Sequence, residues 1–327
     1  MWQLAGHSRA TTLLQRSLRE GQLSHAYLFV GPAHVGKLTL ARNLAQAVNC
    51  ASIEPPCQEC TSCRRIAASK HSDIHIVDLI SVEKKEIGIR QIAEMQNAAH
   101  LPPFEGKYKV FIFDRAEMLS HEAANSLLKT LEEPPPNIMI ILLTAKESAL
   151  LPTIASRCQR VELRPLRLGL VRDVLVKEYH VPQDKADLLA RLSGGCLGWA
   201  LQAVRDETLL SDREQRLEDF SRLCAAGTRD RLAYAADLAG LFSKGRDRMT
   251  DVLAAWLQWW RDLLLIKCNN SQWIVNVDRE AFLSAQAEKL TARSIAAFMR
   301  DIRAAGEQLE MNANPRLALE VLMLRRP

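Results

Sequence analysis

Short apolar runs separated by segments of helical period dominate the first half of the chain. The runs are AYLFV (26–30), IHIVDL (74–79), KVFIFD (109–114), IMIILLTA (138–145) and RVEL (160–163). Between them, TLARNLAQAVNC and the stretch 87–99 carry their apolar residues at helical spacing. Strands alternating with helices imply crossover connections, and hence a parallel sheet covered by helices on both faces. After RPLRLG the strand pattern stops. Leu170, Val174 and Tyr179, then Ala186, Leu189 and Leu192, fit a short helical module closing near SGGCLGWALQAV. The remainder reads as helix, with apolar stripes around 252–266 and 295–309. The expected organisation is an α/β nucleotide-fold domain over 1–166, a helical lid over 167–207 and an all-helical C-terminal domain over 208–327.

Composition narrows the class. The 327 residues are 48% hydrophobic and carry a formal charge of +5, with a pI near 8.8, which is enough apolar residue for more than one core. This mild basicity permits contact with DNA but falls short of a dedicated nucleic-acid-binding domain. No window approaches 18 uncharged apolar residues, even around WLQWWRDLLLI, so no membrane span is expected. The N-terminal stretch MWQLAGHSRATTLLQRSLREG is punctuated by charges and lacks a secretory pattern, so a cytoplasmic location is expected.

GPAHVGK (31–37) follows the first predicted strand and opens a predicted helix, with Gly31, Gly36 and Lys37 at the spacing of a phosphate-binding loop. In that setting backbone N–H groups and the helix N-terminus cradle phosphate. The next residue is Leu38, where the hydroxyl that ligates Mg²⁺ belongs. Thr39 cannot simply replace it, because one step along a helix turns the side chain by about 100°. This weighs against tight Mg–ATP binding. Asp114 ends the third predicted strand, at the place of a second metal ligand. The position after it is Arg115, and a cation cannot accept the proton of an attacking water. Glu117 reads as a favourable charge in the first turn of the following helix. The two defects together predict no hydrolysis by this chain.

Cys50, Cys57, Cys60 and Cys63 stand at C-x₆-C-x₂-C-x₂-C. Four thiolates on two knuckles suit a tetrahedral structural zinc with no open ligand position; an apo or redox-active cluster is the alternative. Cys158, Cys196, Cys224 and Cys268 read as ordinary buried thiols. Arg157, in Ser-Arg-Cys just before the last strand, serves either as a dipole partner at a helix end or as a cation offered to a neighbouring subunit's γ-phosphate. Trp256, Trp259 and Trp260 share a helix, where apolar neighbours favour core or interface packing over base stacking. The eight histidines form no metal-binding pair.

Several stretches together resemble the delta-prime subunits of bacterial DNA polymerase III clamp loaders, members of the AAA+ superfamily. They are SHAYLFVGPAHVGK (24–37), the four cysteines, HSDIHIVD (71–78), KVFIFDRAEMLSHEAANSLLKTLEEPPPN (109–137), ASRCQRVEL (155–163) and NANPRLALEVLML (312–324). The resemblance covers nearly the whole chain, is most specific over 109–163 and is weakest over 205–310. It implies a five-stranded AAA+ core with a zinc module, a helical lid and a helical collar that joins subunits in a ring. It further implies a subunit of a DNA polymerase holoenzyme that loads a sliding clamp onto primed DNA. The partners implied are a gamma/tau-type motor and a delta-type subunit, with the clamp and DNA met through the assembled complex. Arg157 matches the family's arginine finger. Lys37 matches the loop lysine, Asp114 the metal-ligand aspartate, Thr144 the sensor position, and the four cysteines the zinc ligands. Gly31, Gly36, Lys37, Thr39, Asp114 and Thr144 would then form a degenerate nucleotide site whose occupancy the sequence leaves open. An active gamma/tau-type motor, the runner-up, calls for Ser or Thr at 38, Glu at 115 and an arginine in the lid. The lid stretch here has Leu197, Gly198 and Trp199.

Overall fold

A computed structural model describes residues 2, 4–78, 86–225, 227–242, 246–311 and 313–326, leaving aside the side chains of 220–225, 241–242, 246–248, 250–251 and 310. The chain divides into two compact units, Met1–Tyr179 with Gly195–Trp199, and His180–Gly194 with Ala200–Pro327.

In the first unit, β1 (Ala26–Val30), β2 (Ile74–Val77), β3 (Lys109–Phe113), β4 (Ile138–Thr144) and β5 (Gln159–Glu162) form one parallel sheet. The strand order is β2-β3-β4-β1-β5. The predicted runs all become strands, with ends displaced by a residue or two; Leu79, the end of the second run, lies outside the described residues. Successive strand residues point to opposite faces, and both faces are buried. Tyr27, Phe29, Val110, Ile112, Ile141 and Leu143 enter one core with residues of α1 (Ser8–Arg19) and α2 (Lys37–Asn49). Leu28, Phe111, Phe113, Ile140 and Leu142 enter a second core with α4 (Ile89–Ala99) and α5 (His121–Glu132). All seven residues of β4 are buried, and each such aliphatic side chain contributes on the order of 1.5–3 kcal/mol. The short α3 (Thr61–Ala67) carries the cysteine module, α6 (Pro152–Ala155) precedes β5, and α7 (Leu168–Tyr179) follows it.

A parallel sheet has two chemically different edges. The chain leaves β1, β3 and β4 at one edge, where Gly31, Asp114 and Ala145 follow the last strand residues. It enters β4 and β5 at the opposite edge, where Glu132 closes α5 ahead of β4 and Arg157 precedes β5. This separation matters for the site.

The second unit is helical: α8 (Gln183–Leu192), α10 (Thr208–Ala225), α11 (Thr228–Phe242), α12 (Arg246–Lys267), α13 (Glu280–Glu288), α14 (Ala292–Glu310) and α15 (Pro315–Leu324). α9 (Leu197–Arg205) runs from one unit's residues into the other's. Trp256, Trp259 and Trp260 lie in its core at 3%, 1% and 0% exposure, which selects packing over a base-stacking platform. The Trp260 ring meets Phe298 at 4.6 Å, and Trp259 Nε1 donates to Gln286 Oε1 at 3.0 Å. Asp262, fully buried, accepts Val275 N, Asn276 N and Asn276 Nδ2 at 2.8–3.0 Å, so its burial is matched by donors.

The reading of the remaining cysteines as buried thiols needs correcting at Cys268, which is exposed in the turn after α12; Cys158 and Cys196 are half-buried. The Cys224 side chain lies outside the described residues. No helix among the described residues is long and apolar enough to cross a membrane.

Candidate functional site

Gly31–Lys37 links β1 to α2, and its shape is set by what glycine permits. Gly36, the N-cap of α2, sits at φ 112°, a strained conformation for any other residue. A Cβ on Gly31 would run into the carbonyl oxygen of Leu163. The loop is then tied from several sides. Gly31 N donates to Thr144 O at 3.1 Å, the His7 ring bonds Val35 O at 3.0 Å, and Gly198 N donates to His34 O at 2.9 Å. A Cβ on Gly198 would likewise collide with His34 O, so the start of α9 closes on the loop only because it lacks a side chain there.

Lys37 is turned onto its own loop. Its ammonium donates to Gly31 O at 2.6 Å and to Pro32 O at 2.8 Å, and the residue is 9% exposed. Burial lowers its pKa, against the opposing charges of Glu117 and Asp114. The same burial raises the Cys196 thiol, against the pull of Lys37. Leu38 packs against the first core, while Thr39 is exposed on the outer side of α2. Asp114 Oδ1 accepts the N–H of Arg115 at 3.1 Å, and Arg115 is held at φ 57°. Thr144 is fully buried, its hydroxyl accepting Lys146 N at 3.0 Å.

Glu117 differs from expectation. The helix begins later, at His121 behind the N-cap Ser120, and Glu117 belongs to a short 3₁₀ turn, 116–118. Its Oε1 accepts Ala145 N from beyond β4 at 3.3 Å, while Oε2 is buried with no hydrogen-bond partner among the described residues. The turn's sequence carries no sign of that reach, because the amide it meets lies 28 residues away.

Gly31, Gly36, Lys37, Asp114 and Thr144 therefore gather at the exit edge of the sheet, and Thr39 does not join them. Arg157 stands at the entry edge. Its Nη1 donates to Thr153 O at 3.0 Å and its Nη2 pairs with Glu132 Oε1 at 2.7 Å. The four residues of β5 alone, at about 3.3 Å each, put roughly 13 Å of strand between the two edges.

The four cysteines close the loop after α2. Their sulfurs all lie within 4.8 Å of one another, with Cys50–Cys60 and Cys57–Cys63 both at 4.0 Å. Sulfurs bound at about 2.3 Å to a tetrahedral ion stand about 3.8 Å apart, so the cluster has the geometry to hold one. Backbone N–H groups already point at the sulfurs: Ser52 N at Cys50, Cys60 N at Cys57 and Cys63 N at Cys60, at 3.3–3.4 Å. The Cys60 N–H is the main cause that brings the Cys57 thiol down to about 6, whereas burial pushes Cys63 up. Gln46 of α2 donates to Cys63 O at 2.9 Å and fastens the module to the sheet domain.

Two family models match the chain: "DNA polymerase III, delta subunit" over residues 6–167, and "DNA polymerase III, delta subunit, C terminal" over 208–326. DNA polymerase III subunit delta' of Bacillus subtilis is 30% identical over 97% of this chain and 94% of its own length. The chain belongs to the delta-prime family of DNA polymerase III subunits. DNA polymerase III subunit tau of the same organism is 27% identical over 98% of this chain, which spans only 60% of that longer relative. Among solved structures, the Bacillus subtilis DNA clamp loader delta protein aligns over 96% of this chain and 98% of its own, at 16% identity and a TM-score of 0.34.

In this delta-prime chain the first consequence of the loop geometry concerns stability. Lys37→Ala removes an ammonium that satisfies two carbonyls in a tight turn. It is expected to destabilise the protein by on the order of 3 kcal/mol in urea unfolding without nucleotide. A loss well under 1 kcal/mol would contradict the geometry.

Proposed function

We propose that this chain is a non-hydrolysing, stator-like subunit of the DNA polymerase III clamp loader. It supports ATP-driven loading of the sliding clamp onto primed DNA and donates Arg157 to the active site of a neighbouring motor subunit. The observation that carries this reading is the placement of Arg157 at the edge of the sheet opposite to the chain's own loop. An arginine there cannot serve Lys37's site, yet it faces outward where an adjoining subunit's γ-phosphate could be met.

The loop supports the other half of the reading. Lys37 is engaged by carbonyls, Leu38 packs half-buried against the first core, Arg115 stands where a general base is needed, and Gly198 closes on His34. The degenerate site of Gly31, Gly36, Lys37, Asp114 and Thr144, from which Thr39 is turned away, is thus inherited architecture that shapes the strand-to-helix turn. The neighbours are a gamma/tau-type motor and a delta-type subunit, joined through the helical C-terminal part, 208–327, beyond the sheet domain, 1–166, and the lid, 167–207. Cys50, Cys57, Cys60 and Cys63 hold a structural zinc, which would supply cross-linking alone, since four thiolates leave no position for substrate.

The test is reconstitution. Motor and delta-type chains of the same organism, mixed with and without this chain, are assayed for clamp- and DNA-stimulated ATP turnover. Stimulated turnover and clamp loading are expected only when it is present. Equal loading without it contradicts the proposal.

A further inference from the structure

We propose that Glu132 is a positioning residue for Arg157, holding the guanidinium in the orientation in which it is offered to the neighbouring site. The inference rests on the reading of Arg157 as that offered group. Both terminal nitrogens are anchored, Nη2 by the Glu132 carboxylate at 2.7 Å and Nη1 by Thr153 O at 3.0 Å. One anchor comes from the end of α5 and the other from α6, four residues before Arg157 itself, so two segments of chain meet at this guanidinium.

The backbone beneath it is equally fixed. Ser156 N donates to Pro152 O at 3.0 Å and Arg157 N to Ile154 O at 3.1 Å, and the next side chain, Cys158, packs against the second core. A long side chain on a fixed base still has rotamers to lose, and two anchors remove most of that freedom before any phosphate arrives.

Glu132 has no local reason for its place. It is the last residue of α5, where the helix dipole favours cations and disfavours a carboxylate. The guanidinium opposite offsets that placement. Nor does the pair read as a latch that must open. A guanidinium has five N–H donors, and these contacts use one on each terminal nitrogen, so an incoming anion can bind the remaining donors with both anchors in place. The Arg157 and Glu132 side chains are 36% and 50% exposed, which leaves the group reachable from outside.

The test uses the reconstituted loader with only the motor site adjoining this chain left competent, and reads kcat and KM for ATP. Glu132→Ala is expected to lower kcat about tenfold with KM within about twofold, the pattern of a catalytic group present but less well oriented. Glu132→Gln keeps an acceptor at the same position and is expected to stay within about threefold of wild type, a rescue that loss of folding would not produce. Unchanged or faster turnover in Glu132→Ala, with Arg157→Ala slow, overturns the positioning role and leaves Arg157 standing. Unchanged turnover in Arg157→Ala overturns both.

Discussion

Arg157→Ala is expected to cut ATP turnover at the adjoining motor site on the order of 10³-fold, measured in a ring whose other motor sites are silenced. In phosphoryl transfer, charge spreads over the γ-phosphate oxygens, and a planar cation supplied from a neighbour stabilises it where the motor's own residues do not reach. The variant is expected to fold normally. The Arg157–Glu132 pair is substantially exposed, and ion pairs of that kind contribute about 0–1 kcal/mol. A rate loss of that size without a matching drop in thermal stability separates a contribution made in another subunit's site from a structural one. Arg157→Lys is expected to recover little, since an ammonium offers a point charge in place of a fork of donors. Turnover unchanged by Arg157→Ala would remove the assignment.

The second large effect is expected at the cysteines. Cys57→Ser and Cys63→Ser are each expected to reduce bound zinc from about one per chain to a small fraction, because three thiolates and a hydroxyl bind the ion far more weakly. Apart from the cysteines, the module is tied by polar contacts such as Gln58 with Gln46 and Arg64 with Glu59 O. Of the residues in α3, Cys63 and Ile66 are buried, and Ile66 belongs to the core shared with α1 and α2. Release of the ion is therefore expected to open the segment between α2 and β2 and lower the melting temperature, since binding free energy of this kind is folding free energy. Chelator-dependent melting, followed with metal analysis, checks it. Full metal retention in both variants contradicts the four-thiolate site.

Much of the α/β unit was legible because its signals are local. Unbroken apolar runs such as AYLFV and IMIILLT have one economical placement, in the middle of a covered sheet, and they became β1 and β4. The loop was legible for the same reason, through glycines at fixed offsets between a strand and a helix. The contacts that give the site its character are of another kind. Glu117 reaching Ala145, Glu132 meeting Arg157 and Gly198 closing on His34 each join residues far apart in the chain. Nothing in one sequence says which distant segments converge. Glu117, expected in the first turn of the following helix, sits in a 3₁₀ turn ahead of it, and nothing local in LEEPPP marks Glu132 as the partner of Arg157. α1 also escaped the strand-and-helix pattern, although its entry residue His7 braces the loop. The exposure of Cys268 is not legible either, because a thiol between apolar helix and turn carries no exposure signal of its own.

In the proposed role this chain hydrolyses no ATP itself and acts through a neighbour's site. The most direct measurement is steady-state Mg–ATP turnover by the purified chain alone, run beside its Lys37→Ala variant. No turnover above background is expected in either protein; sustained turnover by the wild-type chain that Lys37→Ala abolishes would rule out a non-hydrolysing role.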